Sequence, residues 1–167
     1  ADEILENLSA ILIQVNAVQQ YGLSTLEAFA PGDAKGQRSY VFTAEQYSYA
    51  STLVPSLNIA PYQLDTLLRA SDEAMRTLSA NISDAVRNIL NTTIREGYVN
   101  EAIQYLQQII GYKTDIDLLQ NVVTPILRKV IQPNMVIDQN ATEALRQEAR
   151  DAVDPVLYKQ GQNIVLA

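Results

Sequence analysis

The chain has no cysteine and no histidine. Without cysteine there is no disulfide framework and no thiolate chemistry. Without histidine the usual general base of hydrolytic triads is missing. The imidazole and thiolate ligands on which transition-metal sites lean are missing as well. Positive charge is scarce: 12 Lys and Arg stand against 19 Asp and Glu, for a net charge of -7. A surface of that sign repels phosphate backbones, so nucleic acid is not an expected partner. Nor is there a polybasic segment that would hold a membrane surface. No apolar run reaches the roughly 18 residues of a spanning helix, and no signal peptide is visible.

The composition suits a globular chain with a substantial core: 167 residues, 47% apolar and 19% charged. The opening residues ADEILENL already read as the interior of a folded domain. The chain is therefore expected to be an excised portion of a longer one.

Helical periodicity dominates up to about residue 131. Ile4, Leu8, Ile11, Val15 and Val18 share one face of a helix over about 3–20, which Gly22 is expected to end. A short helix follows at about 24–29, then a turn-rich loop, APGDAKGQ, at 30–37. Thr43 with Gln46 three residues on forms a capping box for a helix over 44–53. Pro61 opens another helix over about 61–70, and Ser71 caps a long one over 72–95, stopped by Gly97. Further helices are expected at 99–110 and 115–131. Pro125 falls inside the second, where it should kink the helix or restart it with Thr124 as cap. The seams are too short for a coiled coil, so an antiparallel bundle is expected.

Pro133 breaks this pattern. The apolar run NMVI, 134–137, fits a buried strand, and Asp138 fits a helix cap. Asp154-Pro155 ends the helix that follows. PVLY and NIVLA flank KQGQ, and Gly161 in that short loop reads as a hairpin. The expected fold is mainly α with an α+β end. A helical region, 1–132, is followed by a strand-helix-hairpin module, 133–167. Its three strands, at about 134–137, 155–159 and 163–166, would form a small sheet under one covering helix.

The spacing Pro133-Asn134, an apolar pair, Asp138, Ala141-Thr142, Arg146, Ala149-Arg150, Val153, Pro155-Val156, Gly161, Ile164-Val165 resembles the extracellular domain of the bacterial seven-transmembrane HD-hydrolase receptors. The match is close over about 132–166, and the upstream helices fit the family in length and type. The resemblance implies a membrane-tethered parent with a cytoplasmic, metal-dependent HD phosphohydrolase, cyclic di-AMP being the substrate of the best-known members. It implies that this chain lies on the extracellular face of the cell membrane. Pro133, Asn134, Asp138, Thr142, Arg146, Arg150, Pro155 and Gly161 would be structural residues of the family motif. The family also carries a strand-helix segment upstream of its helical region, and no copy of it precedes Ala1 in this sequence. The HD site needs histidines, so no catalytic residue, metal or cofactor is assigned to this chain.

Two groups remain as candidate ligand residues. Arg146 and Arg150, one helical turn apart, form a possible anion clamp, against a plain reading as ion-pair partners of Glu143 or Asp154. Tyr47 and Tyr49, in the cluster YVFTAEQYSY with Tyr40 and Phe42, suit a small-ligand pocket. The plain reading is packing under a long loop. The acidic pair of DID, 115–117, lacks the glycine and distant glutamate of a calcium loop and suits a helix N-terminus instead. The sequons NIS, NTT and NAT, at 81, 91 and 140, fall in or beside helices. The function expected is a noncatalytic sensory or regulatory domain that responds to a small molecule, an envelope component or a protein. The alternative is a structural module that forms a homodimer or docks a partner.

Incubated with cyclic di-AMP and manganese, the chain is expected to leave the nucleotide intact. Turnover above a protein-free blank, read by chromatography, would contradict the histidine argument.

Overall fold

A computed structural model describes residues 2–134 and 139–153. The chain divides into two compact units, Ala1–Met135 and Val136–Ala167. In the first unit the elements are α1 (Asp2–Phe29), α2 (Ala34–Ser39), α3 (Ala44–Leu53), α4 (Pro61–Leu68), α5 (Asp72–Leu90), α6 (Val99–Gly111) and α7 (Ile116–Leu118), a π-helical turn (Leu119–Val123) and α8 (Thr124–Val130). The second unit is described only at α9 (Gln139–Asp151) and the turn that follows it, 152–153.

α1 is the hub: it packs against α3, α4, α5 and α8. The apolar stripe read in the sequence is buried, with Leu8, Ile11, Val15 and Val18 each at most 2% exposed. The helix does not stop at Gly22, and the separate short helix expected at 24–29 is its continuation. The reason lies in packing. The stripe continues through Gly22 to Leu26, and at Gly22 the backbone of Leu68 lies directly against α1. A Cβ at this position would overlap the Leu68 carbonyl and Cα. Gly22 is there for close approach rather than termination. α1 ends instead at Phe29, and the turn that follows passes through Gly32, whose φ of 70° belongs to the left-handed region. Asp33 then accepts the Lys35 amide hydrogen at 3.0 Å, so part of the expected loop is α2.

Beside the crossing lies Gln19, fully buried and polar. Its amide nitrogen donates to the Ala70 carbonyl at 3.1 Å and to Asp72 Oδ1 at 3.0 Å. Its oxygen accepts from Gln20 Nε2 at 3.0 Å, and Gln20 also donates to Asp72 Oδ1 at 2.7 Å. The amide is thus satisfied at both ends, which its burial requires. The hydrogen bonds from Gln19, then Gln20, hold the Asp72 carboxyl below the ordinary aspartate value, against a smaller opposing effect of burial and with help from Arg76.

The helix starts follow the sequence. At α3 the capping box is formed: Gln46 N–H donates to Thr43 Oγ1 at 3.3 Å and Thr43 N–H to Gln46 Oε1 at 2.8 Å. Pro61 opens α4. Ser71 accepts the Ala74 amide hydrogen at 3.2 Å to cap α5. The helix over 115–131 takes neither expected form at Pro125 unaltered. A π-helical turn widens the backbone just before the proline, and α8 restarts with Pro125 in its first turn. Thr124 does not act as an N-cap: its hydroxyl donates to Leu119 O at 3.0 Å and accepts from Gln107 Nε2 at 2.7 Å. Asn121, in the turn, donates to Thr66 Oγ1 at 2.9 Å. The wide turn is thereby bolted to α4 and α6.

The expectation of a C-terminal three-stranded sheet is corrected. The described residues contain no strand; Arg95 alone carries an isolated bridge. The expected strand ranges 134–137, 155–159 and 163–166 lie outside the described residues except at Asn134. That residue is a bend bonded to the end of α5. The fold of the described chain is helical throughout.

In an exposed helix, Gly22→Ala would add stability, by about 0.5–1 kcal/mol. Here it is expected to lower stability by about 1–3 kcal/mol, because the Leu68 backbone must move. A urea titration followed by circular dichroism reads the sign.

Candidate binding groove and the Asn134 clamp

The aromatic cluster singled out in the sequence forms a packed chain of rings. Centroid distances are 4.7 Å for Phe29–Tyr40, 5.1 Å for Tyr40–Phe42 and 6.0 Å for Phe42–Tyr47. Arg69 lies over Phe42, 5.2 Å from the ring centre. It donates to the Tyr40 carbonyl at 2.6 Å and to Asp65 at 2.9 Å. The Tyr47 hydroxyl donates to the other oxygen of Asp65 at 2.8 Å. Burial, reinforced by Asp65 and partly offset by Arg69, pushes the Tyr47 pKa up. Tyr49 points elsewhere: its ring meets Tyr21 edge-on at 4.8 Å and is half exposed.

Arg146 and Arg150 lie on α9 and both face Glu143, at 3.4 Å and 3.8 Å. All three side chains are more than half exposed, where such pairs contribute about 0–1 kcal/mol. Thr142 is half-buried on the same helix. Of the other family-motif residues, Pro133 is exposed at the end of the first unit. Asp138, Pro155 and Gly161 lie outside the described residues.

Asn134, of the same motif, is held by four hydrogen bonds. Its N–H donates to the Ile94 carbonyl at 3.0 Å, and Ile94 N–H donates to Asn134 Oδ1 at 2.7 Å. Its amide nitrogen donates to the carbonyls of Thr92 at 2.7 Å and Leu90 at 3.4 Å. These bonds take up carbonyls that a longer α5 would have used, so α5 stops at Leu90 rather than near residue 95. Gly97, with φ 91°, belongs to the turn before α6.

The segment pinned in this way forms one wall of a cavity of about 430 Å³ between α5 and α6. Ala85, Ile89 and Ile94, all buried, make its floor; Tyr98, Tyr105 and Ile109, at 61%, 56% and 42% exposure, stand around it. Asn88, Thr92 and Thr93 supply its polar groups, and among the described residues no acidic or basic side chain lines it. The sequence held a signal for this groove. Tyr98, Ala102, Tyr105 and Ile109 repeat at four, three and four, a second apolar stripe on α6 beside the core stripe of Ile103, Leu106 and Ile110. Only the core stripe is needed for a bundle, so the stripe of Tyr98, Ala102, Tyr105 and Ile109 is free to face outward.

Among the described residues no group of three or more His, Cys, Asp or Glu side chains is placed to hold a metal ion. No helix there is long and apolar enough to cross a membrane. The described chain is thus a helical domain with a neutral groove and no evident catalytic centre. It belongs to the family described as 7TM-HD extracellular, whose match runs over residues 1–167. A relative is the protein named cyclic-di-AMP phosphodiesterase PgpH of Bacillus subtilis (strain 168), 32% identical over 108 residues. The aligned region covers 65% of this chain and 15% of the relative. No solved structure matches the chain.

Asn134→Ala removes the side-chain half of the clamp. It is expected to cost about 0.5–1.5 kcal/mol, since Asn134 is exposed and water can replace part of what is lost, and to speed hydrogen exchange at the Ile94 amide. Unchanged exchange at that amide would show that the clamp does not hold the segment.

Proposed function

We propose that the chain is the noncatalytic sensory domain of a membrane-bound HD phosphohydrolase, placed on the extracellular face of the membrane. Occupancy of the groove would bias the terminal module, and through it the hydrolysis of a cyclic dinucleotide by the parent protein. The observation that supports this reading most is the clamp. The wall of the groove and the last described residue of the first unit are joined by four hydrogen bonds at Asn134. A ligand that favours one position of residues 92–94 therefore favours one position of Asn134, the differential affinity that any signalling domain needs. The family membership, and a relative named as a cyclic-di-AMP phosphodiesterase, support the output.

The test uses the whole parent protein in lipid vesicles. Asn134→Ala leaves every hydrolase residue in place, yet is expected to change the rate of cyclic di-AMP hydrolysis by about fivefold or more, the scale of ordinary coupling energies. An unchanged rate, in protein whose extracellular domain shows the faster exchange at Ile94, would overturn the coupling.

A further inference from the structure

We infer that the α5–α6 groove takes an uncharged small molecule with a flat apolar face and at least one hydrogen-bonding group. This deepens the sensory reading and rests on it for its biological meaning, but the binding itself can be measured without it.

Size is the first argument. A cavity of about 430 Å³ falls within the range of roughly 300–1,000 Å³ typical of small-ligand sites. Charge is the second. The chain carries a net charge of -7, yet no acidic or basic residue is among the described residues that line the groove. Three other cavities differ, one lined by Glu73, Lys113 and Asp115, another by Arg87, a third by Arg128 and Lys129. A fourth, beside Gln104, Gln107 and Tyr112, is uncharged but offers glutamine amides where the groove offers an apolar floor. A charged ligand buried against Ile89 and Ile94 would lose water and find no counter-charge. Shape chemistry is the third. Tyr98 and Tyr105 offer two large ring surfaces at the mouth, which suit stacking on a planar partner. The Asn88 amide and the Thr93 hydroxyl make no hydrogen bond within the described protein and can orient a polar group of the ligand.

N-phenyl-1-naphthylamine is a suitable probe: it is neutral, aromatic, fluorescent in apolar surroundings, and carries one N–H donor for Asn88. Titrated into the chain, it should give saturable fluorescence with one site. Tyr105→Ala and Asn88→Ala should each weaken binding by at least tenfold; both residues are exposed, and unchanged melting would show that both variants fold. Tyr112→Ala, on an 89% exposed residue that does not line the groove, should leave binding unchanged. The anionic analogue 1-anilinonaphthalene-8-sulfonate should bind at least tenfold more weakly than the neutral probe.

Absence of saturable binding, binding that survives both groove variants, or equal binding of the anionic dye would each overturn the inference. So would a dimer in light scattering that Tyr105→Ala disperses, since the face would then be covered by a second copy. Probe binding with an unresponsive parent hydrolase would retain the site and defeat the sensory reading alone.

Discussion

The bundle depends on the contact between the backbones of α1 and α4 at Gly22 and Leu68. Helices held apart by side chains can slide; helices whose backbones touch have one register. Here the contact fixes the hub helix against α4 with no side chain between them, and the buried Gln19 amide reads the same register through Ala70 and Asp72. A shift of one residue along α1 would remove the glycine from the crossing and leave Gln19 buried without partners, two costs that add. The start of α5 is placed by the same amide, since Asp72 is its first residue. The wall that α5 gives to the groove is thus set, at a distance, by a glycine in α1.

The sequence made the local signals legible. The Thr43–Gln46 box, the Ser71 cap, Pro61 and the buried seam of α5 through Met75, Leu78, Ile82, Ala85 and Ile89 all depend on residues a few positions apart. Where a distant partner decides, local reading failed. Gly22 looks like a helix stop until Leu68 is placed against it. α5 has no internal reason to end at Leu90; the reason is Asn134, more than forty residues away. The π-helical turn answers Pro125 but is secured by Thr66 and Gln107, which no local pattern links to it.

The candidate site divides in the same way. The family motif marked Asn134, while its partners at Leu90, Thr92 and Ile94 became visible only in three dimensions. The tyrosines drew attention because they cluster in sequence, and that clustering reflects a ring chain completed by Arg69 and Asp65. The groove tyrosines are spread along α6 at helical spacing, so they do not stand out as a cluster. Their stripe was nonetheless present in the sequence, as the surplus of apolar residues on a helix that needs only one buried face.

The Asn134 clamp also sets how the first unit meets mechanical load. Asn134 is the last described residue of the first unit, and a pull applied to the chain at this residue loads the clamp. Four hydrogen bonds share that load, and those to Thr92 and Ile94 hold a segment that carries no regular structure. Load at Asn134 thus strains the hydrogen bonds to Leu90, Thr92 and Ile94 before it strains the buried core.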